Sequence, residues 1–134
     1  MARSYSSGTQ GRAICNSRNH HFIADEFDGD EVTAGEYFLA GLTACAVNMI
    51  ERVATESDLA LQKLDVRAEG VYERNQGTES LTLFYTVKMR FQFVGVSKEE
   101  AETLVATYHK RCPLYGTVAT ATPDVSTTIV TDPN

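Results

Sequence analysis

Residues 37–50 read YFLAGLTACAVNMI, from Tyr37 to Ile50, and this run decides how the chain is organised. Glu36 and Glu51 bracket it, and at this length it is too short to span a bilayer, which takes about 20 apolar residues. It is apolar on nearly every helical face, the pattern of a central helix rather than a surface one. Thr33 is a suitable N-cap with Glu36 as its capping-box partner, and the helix is expected to run to about Ser57. Ala40, Gly41 and Ala44 would let another backbone approach closely.

Downstream of this helix, Leu64, Val66 and Ala68 alternate with Lys63, Asp65, Arg67 and Glu69, the period of a half-buried strand. Arg74 to Ser80 (RNQGTES) reads as a turn. Beyond it Leu81, Leu83, Tyr85, Val87, Met89, Phe91 and Phe93 alternate with a more polar set, so the two runs predict a long antiparallel hairpin. A second capping box, Ser97 with Glu100, precedes Ala101, Leu104, Val105, Tyr108 and Cys112 on one helical face, and Pro113 is expected to end that helix. Ser126 to Thr131 reads as a final strand. Upstream, Gly11 to Glu26 predicts two short strands around a turn at Asn16 to Asn19, followed by an acidic connector, Phe27 to Val32. The order β-β-α-β-β-α-β implies an α+β fold with one antiparallel sheet, residues 1–134 forming a single domain. So short a chain has few elements to cover a helix that is apolar all round. A homodimer in which the central helices pack on each other is therefore expected.

Charge narrows the partners. The 134 residues carry a formal net charge of -6 and no Lys or Arg run, which disfavours nucleic acid and anionic membranes as binding partners. Met1 is followed by a polar stretch with no apolar core, so no signal peptide is expected and the reading is cytoplasmic.

The three cysteines, Cys15, Cys45 and Cys112, leave an odd count without a CxxC pair, against a disulfide framework or a zinc knuckle. His20 and His21 are neighbours in a strand and point to opposite faces, so no metal or cofactor is expected. By spacing alone Cys45 and Cys112 are either core residues or a redox pair. Cys112, at the end of a helix where the dipole is negative, looks like a resolving thiol rather than the one that attacks first. His109 leaves a Cys-His hydrolase formally open, but nothing in the sequence supplies an oxyanion hole. Tyr37, Phe38, Leu42, Met49 and Tyr115 read mostly as core, some of them able to line a pocket.

Gly35 to Cys45 (GEYFLAGLTAC) resembles the first cysteine motif of the OsmC/Ohr family, and His109 to Pro113 (HKRCP) resembles its second. Ile23 to Glu26 (IADE) and the acidic connector sit where the family carries similar residues, and the element order agrees over nearly the whole chain. The resemblance implies a thiol-dependent peroxidase. In it Cys45 attacks an organic hydroperoxide and becomes a sulfenic acid, Cys112 resolves that acid as a disulfide, and a dithiol or lipoyl-protein reductant restores the pair. By position Arg18 matches the family's thiol-activating arginine, while Arg52, seven residues past Cys45 on the same helical face, is its rival.

The family's acidic residue falls at Glu36, with a departure. The peroxidase pattern has Pro-Glu ten residues before the cysteine, whereas here the Glu stands nine before it and Ala34-Gly35 replaces the proline. Nine helical residues amount to about two and a half turns, a net rotation of half a turn, and about 13.5 Å of rise, so Glu36 cannot touch Cys45 of its own helix. Either it acts across a dimer interface or it only caps. Two other readings of the chain stay open: a non-enzymatic OsmC-like domain binding a small apolar or electrophilic molecule, and a redox sensor.

Overall fold

Thr33 and Glu36 do start a helix. In the computed structural model, which describes residues 1–26, 28–72 and 84–120, helix α1 spans Ala34–Glu56. The Thr33 hydroxyl accepts from the Glu36 N–H, while the Glu36 carboxylate accepts from the Thr33 N–H at 2.7 Å. The two bonds satisfy backbone donors that the first helical turn leaves without partners. By length and composition alone this 23-residue helix could cross a membrane. Here, however, its stripe of Leu42, Ala46, Met49, Ile50 and Ala54 is buried in the protein's own core.

Strands β1 (Ala2–Ser6), β2 (Ala13–Ser17) and β3 (His20–Ala24) form an antiparallel meander ahead of α1. The β2–β3 turn falls within the Asn16 to Asn19 segment named for it. Arg18 and Asn19 both have positive φ, 51° and 63°, as a two-residue hairpin loop requires. Strand β1 had no signature in the sequence, because all five of its residues are exposed and none alternates with a buried partner. The meander is tied to α1 by the Tyr37 hydroxyl, which donates to the Ile23 carbonyl at 2.9 Å, and by the Phe22 ring against Tyr37. Arg12 pairs with Asp25 and Asp30, which folds the acidic connector back on β2, and this guanidinium holds the Asp25 carboxyl below its usual range.

Strands β4 (Lys63–Tyr72) and β5 (Phe84–Val94) are the long hairpin. Its register sets Leu64 opposite Phe93, Val66 opposite Phe91 and Ala68 opposite Met89, so one apolar face is shared by both strands. That face packs against α1 and α2 (Lys98–Arg111), the latter capped by Ser97 and Glu100 as expected. Among the described residues the strands make two sheets rather than the one expected: β4 and β5 pair with each other, and none of β1–β3 hydrogen-bonds to them. The expected turn at 74–80, the start of the second hairpin strand at 81–83 and the final strand at 126–131 lie outside the described residues.

Pro113 ends α2 and also opens a further helix, α3 (Pro113–Thr120), which the sequence reading lacked. Proline suits the first helical position, where its missing N–H is not needed, and it holds the preceding Cys112 in extended backbone with ψ of 117°. No α3 residue is buried, so periodicity gave this helix no signal.

Candidate active site

Leu42, Cys45, Ala46 and Met49 follow one another at helical spacing, which places Cys45 at the edge of the buried stripe of α1. Cys112 comes to it from the junction of α2 and α3. The two unbonded sulfurs lie 2.8 Å apart across 67 residues of sequence. Cys112 is 3% exposed, while Cys45 is half-buried and is the more accessible of the two. Nearby, a groove of about 560 Å³ is bordered by Leu42, Met89, Phe91, His109 and Tyr115. Of the pocket residues named from sequence, Leu42 and Tyr115 line this groove, whereas Tyr37, Phe38 and Met49 are not among its lining residues.

The electrostatics of Cys112 differ from the expectation of a helix C-terminus. Cys112 caps the end of α2, but it also stands immediately before the first residue of α3. Its Sγ accepts from the Tyr115 N–H at 3.4 Å, and its carbonyl accepts from the Gly116 N–H at 2.9 Å. A side chain that accepts from the third helical residue is an N-cap, at the positive end of the helix dipole. The negative field at the end of α2 is thus opposed by donors from α3.

Burial, a hydrogen bond to Cys112 and the negative charge of Cys112 push the Cys45 thiol up to about 11. The Leu114 N–H and the charge of Arg52 act the other way. Tyr108 is fully buried in the same cluster as Cys112, and its hydroxyl donates to Met89 Sδ at 3.7 Å. Burial, followed by the nearby charges of Cys112 and Cys45, raises its phenol above the ordinary range. The sequence reading had placed Tyr108 on the apolar face of α2. Its signal in the sequence was a position one helical turn before Cys112, on the face that enters the same cluster.

The other candidate residues are not gathered here. Arg18 is exposed at the β2–β3 turn, whereas the charge of Arg52 bears on Cys45 and favours its thiolate. Glu36 caps α1, and hydrogen bonds from the Thr33 backbone and side chain hold its carboxyl below the usual range. Cys15 is buried in β2, where it accepts a hydrogen bond from the Ser4 hydroxyl at 3.2 Å. His109 stacks on Tyr115 with ring centroids 4.3 Å apart.

Comparison with known proteins agrees with this fold. No curated protein matches the sequence. Among solved structures, an OsmC-like protein from Mycoplasma pneumoniae superposes with a TM-score of 0.77 at 15% identity, covering 89% of this chain and 86% of that one. An organic hydroperoxide resistance protein OsmC from Legionella pneumophila gives 0.67 at 19% identity, covering 88% and 87%. The organic hydroperoxide resistance protein OhrB of Bacillus subtilis gives 0.67 at 18%, covering 87% and 90%. At these identities the likeness is one of fold. The family model described as OsmC-like protein matches residues 27–128, a span that holds both cysteines of the pair, and the chain belongs to that family.

Proposed function

We propose that the protein is a thiol-dependent peroxidase that reduces organic hydroperoxides through Cys45 and Cys112. The observation that carries this reading is the 2.8 Å approach of two free thiols, one half-buried and one buried. A sulfenic acid on Cys45 would form within reach of a thiol able to trap it before further oxidation. The apolar groove beside the pair suits the organic part of such a substrate.

The reaction follows from the shared proton. The Cys112 sulfur, 2.8 Å away, is close enough to accept the Cys45 proton as Cys45 attacks the peroxide. The O–O bond breaks, giving the Cys45 sulfenic acid and, after proton transfer, an alcohol. Cys112 thiolate then attacks the Cys45 sulfur and expels hydroxide. Overall, the singly ionised dithiol and a hydroperoxide give a disulfide, an alcohol and hydroxide. A dithiol, such as a lipoyl group, would return the pair to its reduced form.

The first experiment is intact-mass and peptide mapping after one equivalent of cumene hydroperoxide. The expected result is loss of two hydrogens in a Cys45–Cys112 bridge. Unmodified thiols, or slow oxidation spread over Cys15 as well, would sink the reading and favour a binding domain. In the same reading the protein works as a homodimer. Ala40 and Ala44 stand exposed one turn apart on α1, and Val32 and Leu114 add exposed apolar surface at 41% and 43%. A second copy would bury these residues. Light scattering is expected to give twice the 14.7 kDa chain mass, and a monomer would overturn this part.

A further inference from the structure

The groove beside the cysteine pair carries a third sulfur, that of Met89, and the peroxidase reading gives it no work. Met89 stands on β5 opposite Ala68, half-buried on the hairpin face that packs against the core. Leu42, Phe91 and Tyr115 line the groove with it. From the core, the hydroxyl of Tyr108, a residue 0% exposed, donates to Met89 Sδ at 3.7 Å. A phenylalanine at 108 would fill the same space without bringing a hydroxyl out of water, a step that is costly unless the group finds a partner. A thioether sulfur is a weak acceptor with two lone pairs, and a hydroxyl fixed on one of them orients the sulfur. Met89 therefore joins two features: a side chain lining an apolar groove and a sulfur held from behind by a buried donor.

We propose that Met89 is an oxidation site of the groove, where a seated organic hydroperoxide converts its thioether to one epimer of methionine sulfoxide. From the peroxidase reading this takes only the seating of an organic hydroperoxide in the groove, and it needs neither cysteine. The Sδ lone pair that Tyr108 leaves free attacks the terminal oxygen of the hydroperoxide. The O–O bond breaks, that oxygen stays on the sulfur, and its proton passes to the departing alkoxide. Thioether and hydroperoxide thus give sulfoxide and alcohol, with the sulfur oxidised and the peroxide reduced by two electrons. A sulfur engaged from the core is attacked from the groove side alone, so a single epimer forms. The product sets a polar, chiral group in an apolar wall, and epimer-specific reductases can reverse it.

The test uses a Cys45→Ser/Cys112→Ser chain, in which the pair consumes no peroxide, with N-acetylmethionine amide in the same tube as an unstructured competitor. Sulfoxide is read by mass after limited exposure to cumene hydroperoxide or to hydrogen peroxide. The ratio of Met89 to competitor oxidation is expected to be about tenfold higher with cumene hydroperoxide, the effect of seating a few apolar carbons. Met49, 8% exposed in the core, is expected to show no such preference. The Met89 sulfoxide peptide is expected to be reduced by one of the two epimer-specific methionine sulfoxide reductases and left by the other. Equal ratios with the two peroxides, or an even mixture of epimers, overturn the proposal. The same mapping on the wild-type chain with excess peroxide serves if the double variant does not fold. There, a Cys45–Cys112 bridge without preferential Met89 oxidation overturns this proposal and spares the peroxidase reading. Single-epimer Met89 sulfoxide beside unmodified cysteines supports it while the peroxidase reading fails.

Discussion

Cys45→Ser is expected to lower hydroperoxide turnover on the order of a thousandfold or more, because a serine hydroxyl is a far weaker nucleophile than a thiol at neutral pH. Cys112→Ser should fail differently. Its Cys45 still reacts once, but no thiol lies within reach to trap the sulfenic acid, so peroxide drives Cys45 on to the sulfinic state. Steady-state turnover is lost in both variants, and only the second gains two oxygens on Cys45 by mass. The fold should survive the change at position 112, since serine caps helices well and Cys112 already accepts from the Tyr115 N–H in that role. If Cys45→Ser keeps most of its turnover, the chemistry lies elsewhere and the pair is structural.

The second large effect concerns stability. Ile50→Ala is expected to cost about 2–5 kcal/mol, measured as a lower urea midpoint without a large change in slope. Ile50 is 0% exposed and belongs to the cluster that joins α1 to Leu104, Tyr108 and Cys112. The surrounding atoms come from several elements, so the cavity cannot close by moving one of them. This cluster also supports the active site. Loosening it should weaken the approach of Cys112 to Cys45, and disulfide formation should slow alongside the loss of stability. A cost below about 1 kcal/mol would mean that the site collapses freely, against the packing described.

The local elements were legible because local rules governed them. The capping boxes at Thr33 and Ser97 start their helices where the sequence placed them, since a cap is settled within four residues. The alternation through Leu64–Ala68 and Val87–Phe93 defined the hairpin and its inner face, because one buried face leaves a period of two. Strand β1 and helix α3 escaped for the opposite reason: neither buries a stripe of its own, so no period marks them.

The candidate site divides along the same line. Sequence alone determined the residue types and their order: two cysteines in family-like motifs, a long apolar helix for one and a Cys-Pro step for the other. It could also show that Glu36 lies too far along α1 to touch Cys45, since helical rise is fixed by backbone geometry. The tertiary structure decided that the two sulfurs meet, that the charge of Arg52 bears on Cys45, and that Tyr108 is buried in the same cluster as Cys112. It also set donors from α3 against the dipole at the end of α2. A dipole argument made from one helix cannot know that a second helix begins at the next residue. Secondary structure follows from interactions a few residues apart, whereas the field at a sulfur sums over every dipole and charge that the fold brings near it.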